Sequence, residues 1–224
     1  RIHFEKKRFT KSISYYGRVS RNSENWLDAL WESSWAFFYM QKFNNTLGNI
    51  HTIHSPFFNN RFYPEAYILQ AITFLRLCKL KEVKKSLKSF QKRYKSTFGD
   101  IKKLLKKYKY NAKGLYKLVD KYNKGKRVPY RNAEEIIKML STVDAYKESQ
   151  DTMRFASREL QALKRYSAWQ SSGLLGDLRG FLKSKKKAGV KNAGRRMYAL
   201  AMEDYKLLVD LSSQTKLIKA EVSL

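Results

Sequence analysis

The chain is poor in the residues that build cross-links, tight turns and membrane spans. Its single cysteine, Cys78, has no partner among the 224 residues, which excludes an internal disulfide and a cysteine-based metal centre and leaves the redox compartment open. Three prolines and ten glycines are too few for the frequent turns of a strand-rich fold, whereas the abundant Lys, Leu, Ala, Gln and Arg favour helix. An all-α protein is expected. No run of about 18 apolar residues occurs, so no segment has the composition of a bilayer span, and residues 1–20 are too charged for a secretory leader.

The signals of catalysis are missing as well. All three histidines fall within the first 54 residues, and His51 and His54, three apart, have no Asp, Glu or Cys beside them to complete a metal site. There is no Gly-rich phosphate loop, no His-Glu-x-x-His helix and no Gly-x-Ser-x-Gly elbow, and Gly173, Gly176 and Gly180 lack the spacing of a nucleotide fingerprint. No catalytic residue, cofactor or metal is expected, and the chain does not read as an enzyme.

What the sequence has in abundance is positive charge. With 47 basic and 19 acidic residues the net charge is +28, which implies an anionic partner. The charge is concentrated: from Lys79 to Arg131, twenty residues are Lys or Arg and three are acidic. Lys84, Lys85, Lys88, Lys92 and Arg93 fall on the outer face of one predicted helix (80–94). Lys102, Lys103, Lys106 and Lys107 fall on the outer face of a second, short one (100–108), opposite Ile101, Leu104, Leu105 and Tyr108. These nine are the candidate residues for an anionic surface, be it an acidic protein, an envelope polymer, lipid headgroups or nucleic acid. The stretch is Lys-dominated, and base reading favours Arg.

Apolar residues recur with helical spacing, and the pattern itself recurs. Leu30, Ser34, Phe37, Phe43, Thr46, Ile50 and Ile53 are followed at equivalent offsets by Tyr67, Ala71, Phe74, Leu80, Val83, Leu87 and Phe90. Phe9, Ser12, Tyr16 and Val19 match the second half of the series, with steps of 34 and then 37 residues. An insertion carrying Ser55-Pro56-Phe57-Phe58 accounts for the longer step, and Phe57, Phe58, Phe62 and Tyr63 are expected to wedge between hairpins. The polar turn Asn22 to Asn25 offers Ser23 as the N-cap of an aromatic-rich helix. Asn123 to Pro129 reads as a linker. Beyond it a short helix (133–141) is predicted, then a longer one (143–170) with the stripe Met153, Ala156, Leu160 and Leu163. A chain loosened at Gly173, Gly176 and Gly180 follows, with lysines at 183–187, and then a last helix (190–219) with the stripe Val190, Ala193, Met197, Leu200, Ala201, Leu208, Leu211 and Leu217.

A period near 34, with small residues at Ser12, Ser34, Thr46 and Ala71, resembles the tetratricopeptide repeat. Val83 is larger than the alanine usual there, and Gln41 and Cys78 stand where a glycine is usual between the helices. The resemblance implies a helical-hairpin solenoid over residues 1–95, its first repeat truncated at Arg1, so that upstream repeats are expected. It is followed by a Lys-rich helical segment over 96–131 and a long antiparallel helix pair over 132–224. It also implies a concave groove lined by Trp31, Trp35, Phe38, Tyr39, Ile68, Ile72 and Arg76, with Asp28, Glu65 and Leu75 nearby, filled by a partner helix or by the chain's own C-terminal helix. Trp35-Ala36-Phe37-Phe38, Leu47-Gly48-Asn49-Ile50-His51-Thr52 and Tyr63-Pro64-Glu65-Ala66, with Asn192-Ala193-Gly194-Arg195-Arg196 and Ile218-Lys219-Ala220-Glu221-Val222, are similar to bacterial cell-envelope repeat proteins. The implied function is a scaffold or adaptor for protein partners in a multi-subunit, envelope or periplasmic assembly. A basic helical-repeat protein that binds nucleic acid is the alternative.

Overall fold

The computed structural model describes residues 1–58, 61–166 and 173–223. The described residues form ten α-helices and three 3-10 turns, with no strand among them. They divide into two compact units: residues 1–95 with 207–223, and Ser96–Lys206.

Unit 1 opens with α1 (Ile2–Glu5), α2 (Phe9–Tyr16), α3 (Trp26–Tyr39), α4 (Phe43–Ile53) and α5 (Glu65–Arg76), followed by the first half of α6 (Leu80–Tyr108). The turns after α1, α3 and α5 are built alike. Lys7, Gln41 and Cys78 hold positive φ of 56°, 58° and 55°. Each donates its N–H three residues back, to the carbonyls of Phe4, Phe38 and Leu75, and each following N–H reaches the carbonyls of His3, Phe37 and Phe74. This is the Schellman closure, which normally takes glycine because only glycine enters the left-handed region without strain. The steps between the three residues are the 34 and 37 of the sequence pattern. Lys7→Gly, Gln41→Gly and Cys78→Gly are each predicted to raise stability by about 0.5–1 kcal/mol in urea denaturation, strain relief outweighing the added unfolded-state entropy. A loss at all three would remove the strained-turn account.

Between paired helices the small positions are buried: Ser12, Ser34, Thr46, Ala71 and, despite its size, Val83. Polar clamps recur at the same register. Asn49 Nδ2 donates to Ser33 Oγ at 3.0 Å, and 37 residues on Ser86 Oγ donates to Gln70 Oε1 at 3.1 Å. His54 stacks on Tyr67 with ring centroids 4.0 Å apart, and its burial holds the imidazole at a pKa of about 4, so it is neutral at pH 7. Residues 207–223 join this unit through the buried Leu208, Leu211, Thr215, Ile218 and Val222.

Unit 2 holds the second half of α6, α7 (Ala112–Asn123), α8 (Glu134–Thr142), α9 (Asp144–Ala162) and α10 (Gly173–Ser223) as far as Lys206. Ile101, Leu104, Leu115, Val119, Ile136, Ile137, Leu140 and Met197 are fully buried in it. Gly125, at φ 70°, closes α7 in the same left-handed way as the turns of unit 1. Asp100 Oδ2 then accepts from Asn132 N and Nδ2, which ties the following stretch back to α6. Along α10, Lys186 Nζ donates to Ser157 Oγ at 2.8 Å and Arg196 pairs with Glu148 at 3.7 Å, both partners on α9.

Several expectations are corrected. Residues 80–94 and 100–108 are not two helices but the single 29-residue α6. Phe90, Tyr94, Thr97, Ile101, Leu104 and Tyr108 are all buried and stay in phase across Gly99, so one glycine does not stop the helix. The loosening at Gly173, Gly176 and Gly180 and the separate helix from 190 are replaced by the single 51-residue α10. Leu175 and Leu182 are buried on the apolar side it continues, and each glycine costs the helix only about 1 kcal/mol. Leu217 is 71% exposed, and Ile218 takes the buried place. Asn25 rather than Ser23 precedes α3, and Ser23 Oγ instead accepts the Asn25 N–H. Of the aromatic wedge, Phe58 meets Trp26, Phe62 meets Tyr94 and Tyr63 meets Trp31, but Phe57 is 89% exposed. Neighbours in a 3-10 turn diverge by a third of a revolution, so Phe58 turning inward sends Phe57 out.

Candidate functional site

In unit 1 the sequence WLDALWESSWAFFY spreads its rings over more than the one face that α3 needs for its core, and the surplus forms a row on the surface. Trp31 meets Trp35 at 5.8 Å, Trp35 stacks on Tyr39 at 6.0 Å, and Tyr39 stacks on Phe9 at 5.3 Å, with Phe38 edge-on to Trp35. Trp31, Trp35, Phe38 and Ile72 pack against the core of Ile50, Ile53, Ala66 and Leu69 and are half-buried. Tyr39 is 55% exposed, and Arg76 and Asp28 are exposed. Glu65 and Leu75 are half-buried, whereas Ile68 is buried and offers no surface to a partner. The rings therefore shelter one another while each keeps an open edge or face.

No Lys or Arg stands on α3, so the row carries the carboxylates of Asp28 and Glu32 alone. Tyr63 donates its hydroxyl to Asp28, and Arg1 pairs with Glu32 at 2.5 Å. Burial, then the neighbouring Glu32 carboxylate, holds the Tyr16 phenol well above its usual range. Burial and Asp28 do the same for Tyr63. Burial also raises the Glu65 carboxyl. A cavity of about 390 Å³ opens between Phe4, Tyr16, Glu32, Trp35 and Tyr39.

The predicted basic residues stand on the solvent face of α6. Lys84, Lys85, Lys88 and Lys92 are exposed in unit 1, and Arg93 is half-buried with its guanidinium 5.8 Å from the Tyr94 ring centre. Lys102, Lys103, Lys106 and Lys107 are exposed in unit 2.

A third feature, in unit 2, was not found by reading the sequence. The chain turns at Lys109–Asn111, and Asn111 Oδ1 accepts the Gly114 N–H at 2.8 Å to cap α7. Next to this cap α10 passes so close that a Cβ on Gly194 would lie 2.0 Å from the Ala112 carbonyl oxygen. The crossing gathers Lys109 and Lys113 with Lys186, Lys187, Lys191 and Arg195 around a cavity of about 680 Å³, with Met153 and Val190 among its apolar lining. No acidic residue lines it. Several acids of the unit are engaged elsewhere: Asp100 with Asn132, Asp120 with Tyr146, Gln150 and Lys124, and Asp151 with Arg154. Asp204 is pushed up to about 7 by burial, and Glu203 adds to the shift. The cavity lining itself therefore offers these cations no carboxylate. The sequence shows the basic stretch that holds Lys109 and Lys113 and the lysines at 183–187, but carries no sign that the two would meet.

Among the described residues no three His, Cys, Asp or Glu side chains group as metal ligands, and no helix is long and apolar enough to cross a membrane. No family model, curated protein or solved structure matches the chain, so its function is read from these side chains themselves.

Proposed function

We propose that this chain is a non-catalytic helical-repeat adaptor that holds a protein partner within a larger assembly; the resemblance of its repeats supports a bacterial cell-envelope setting. In this reading α1 to α6 are tetratricopeptide-like hairpins stacked as a solenoid, and α9 with α10 is an antiparallel pair that closes the chain. The lysine rows of α6 meet an anionic surface of the assembly. The observation that carries the proposal is the open row Tyr39, Trp35 and Trp31 on a helix without a cation. Rings at a surface forgo about 1.5–3 kcal/mol each when fully hydrated, and aromatic residues with few conformers are what protein interfaces favour.

Comparative affinity purification from the source cell tests this. Tyr39→Ser replaces a ring already more than half exposed, so the fold should persist, and the partner set is expected to be lost, with little dependence on salt. Charge reversal at Lys102, Lys103, Lys106 and Lys107 should weaken only contacts that salt also weakens. If Tyr39→Ser and Trp35→Ser both fold and keep every partner, the aromatic row is not the interface.

A further inference from the structure

We infer that the cation-lined cavity of unit 2 binds single-stranded nucleic acid through its phosphates, without regard to base sequence, a function beyond the adaptor role. Six cations surround about 680 Å³ with no acid among the lining residues. Lys187, Lys191 and Arg195 follow one another at intervals of four on α10, about 6 Å apart along the helix axis. Lys109 and Lys113 come from the start of α7 and the turn before it, also four apart. Like charges gathered this way repel one another and attract small counterions, and a polyanion that displaces those counterions gains their release.

The ring beside the charge decides the kind of polyanion. Five of the six cations are lysine, a compact point charge that can meet a phosphate without fixing its orientation, as binding without regard to sequence requires. Tyr110 lines the same cavity with its side chain 90% exposed, and the Lys109 ammonium sits 5.1 Å from its ring centre. An upright ring among phosphate-binding cations is the combination that holds single strands, since the backbone tracks the charge while a base stacks on the ring. Met153 and Val190 add an apolar surface for a second base or a sugar. A duplex keeps its bases paired and cannot use the ring. A flat bilayer would touch only the rim of a concave site.

Fluorescence anisotropy of a labelled short oligothymidylate with the full chain tests the assignment. Affinity is expected to fall as salt rises, with a log–log slope of about −0.7 for each phosphate neutralised. Lys187→Gln, Lys191→Gln and Arg195→Gln combined should lower affinity by about tenfold or more and flatten that slope. Tyr110→Ala should lower it at least about fivefold and leave the slope unchanged. All four side chains are exposed, so circular dichroism and thermal melts should match the parent chain. Lys6→Gln, Lys11→Gln and Lys42→Gln remove the same charge from exposed positions of unit 1 outside the lysine rows of α6 and should leave binding nearly unchanged. The assignment is overturned if this control weakens binding as much as the cavity triple does, or if Tyr110→Ala binds like the parent. It is equally overturned if polyglutamate of matched charge, or vesicles of anionic phospholipid, bind as tightly as the oligothymidylate.

Discussion

Gly194→Ala is expected to destabilise the chain by about 3 kcal/mol, although alanine is the better helix former by about 1 kcal/mol. The added methyl carbon would lie 2.0 Å from the Ala112 oxygen, 2.6 Å from its carbonyl carbon and 3.1 Å from its Cα. All three are backbone atoms, so no side-chain rotation relieves the clash, and α10 must move away from α7. The same substitution at Gly176 or Gly180, where nothing lies within 4 Å, should instead gain about 0.5–1 kcal/mol. One chemical change therefore has opposite signs at positions 14 and 18 residues apart on one helix. Urea denaturation of the three variants reads the difference, and a neutral Gly194→Ala would mean that α10 and α7 do not approach this closely.

Leu87→Ala should cost about 2–5 kcal/mol, because Leu87 is fully buried on α6, one turn from the equally buried Val83, and its neighbours cannot collapse into the space. Phe74→Ala, at a half-buried position of α5, removes more atoms but less buried surface and should cost roughly 1–2 kcal/mol. Chemical denaturation gives the order. If Phe74 proves the costlier site, α5 and α6 are not packed in this register.

The sequence shows the hairpins of unit 1 because each is local: small residues at Ser34, Thr46 and Ala71, and the unusual Gln41 and Cys78 at the turns, can be aligned by counting. Lys7, the third left-handed residue, follows from the same count, but its turn lies too near the start of the chain for a full pattern to frame it. The two long helices are not legible for related reasons. Gly173, Gly176 and Gly180 suggest a loosened chain and the composition suggests two helices at 80–94 and 100–108, whereas a buried stripe kept in phase outweighs about 1 kcal/mol per glycine, Gly99 included. At the C-terminal end the polar Thr215, buried at the centre of the stripe, hid the phase that selects Ile218 over Leu217. The cation-lined cavity was illegible in principle. It depends on Ala112 meeting Gly194, a contact between segments about 80 residues apart that no local period encodes.

The hairpin closures of unit 1 also bear on the order in which it forms. Turns that join residues three to five apart belong to the local contacts that form in microseconds to milliseconds, so each hairpin can assemble as soon as its own residues exist. Residues 207–223 enter the same unit only after all of unit 2 has been made. Lys219 Nζ donates to Gln91 Oε1 at 2.9 Å across 128 positions of sequence. At translation rates of about 5–20 residues per second, the nascent hairpins wait on the order of ten seconds for the stripe of Leu208, Leu211, Ile218 and Val222. The early hairpins, with that apolar surface still open to water, are therefore the species that a chaperone meets first.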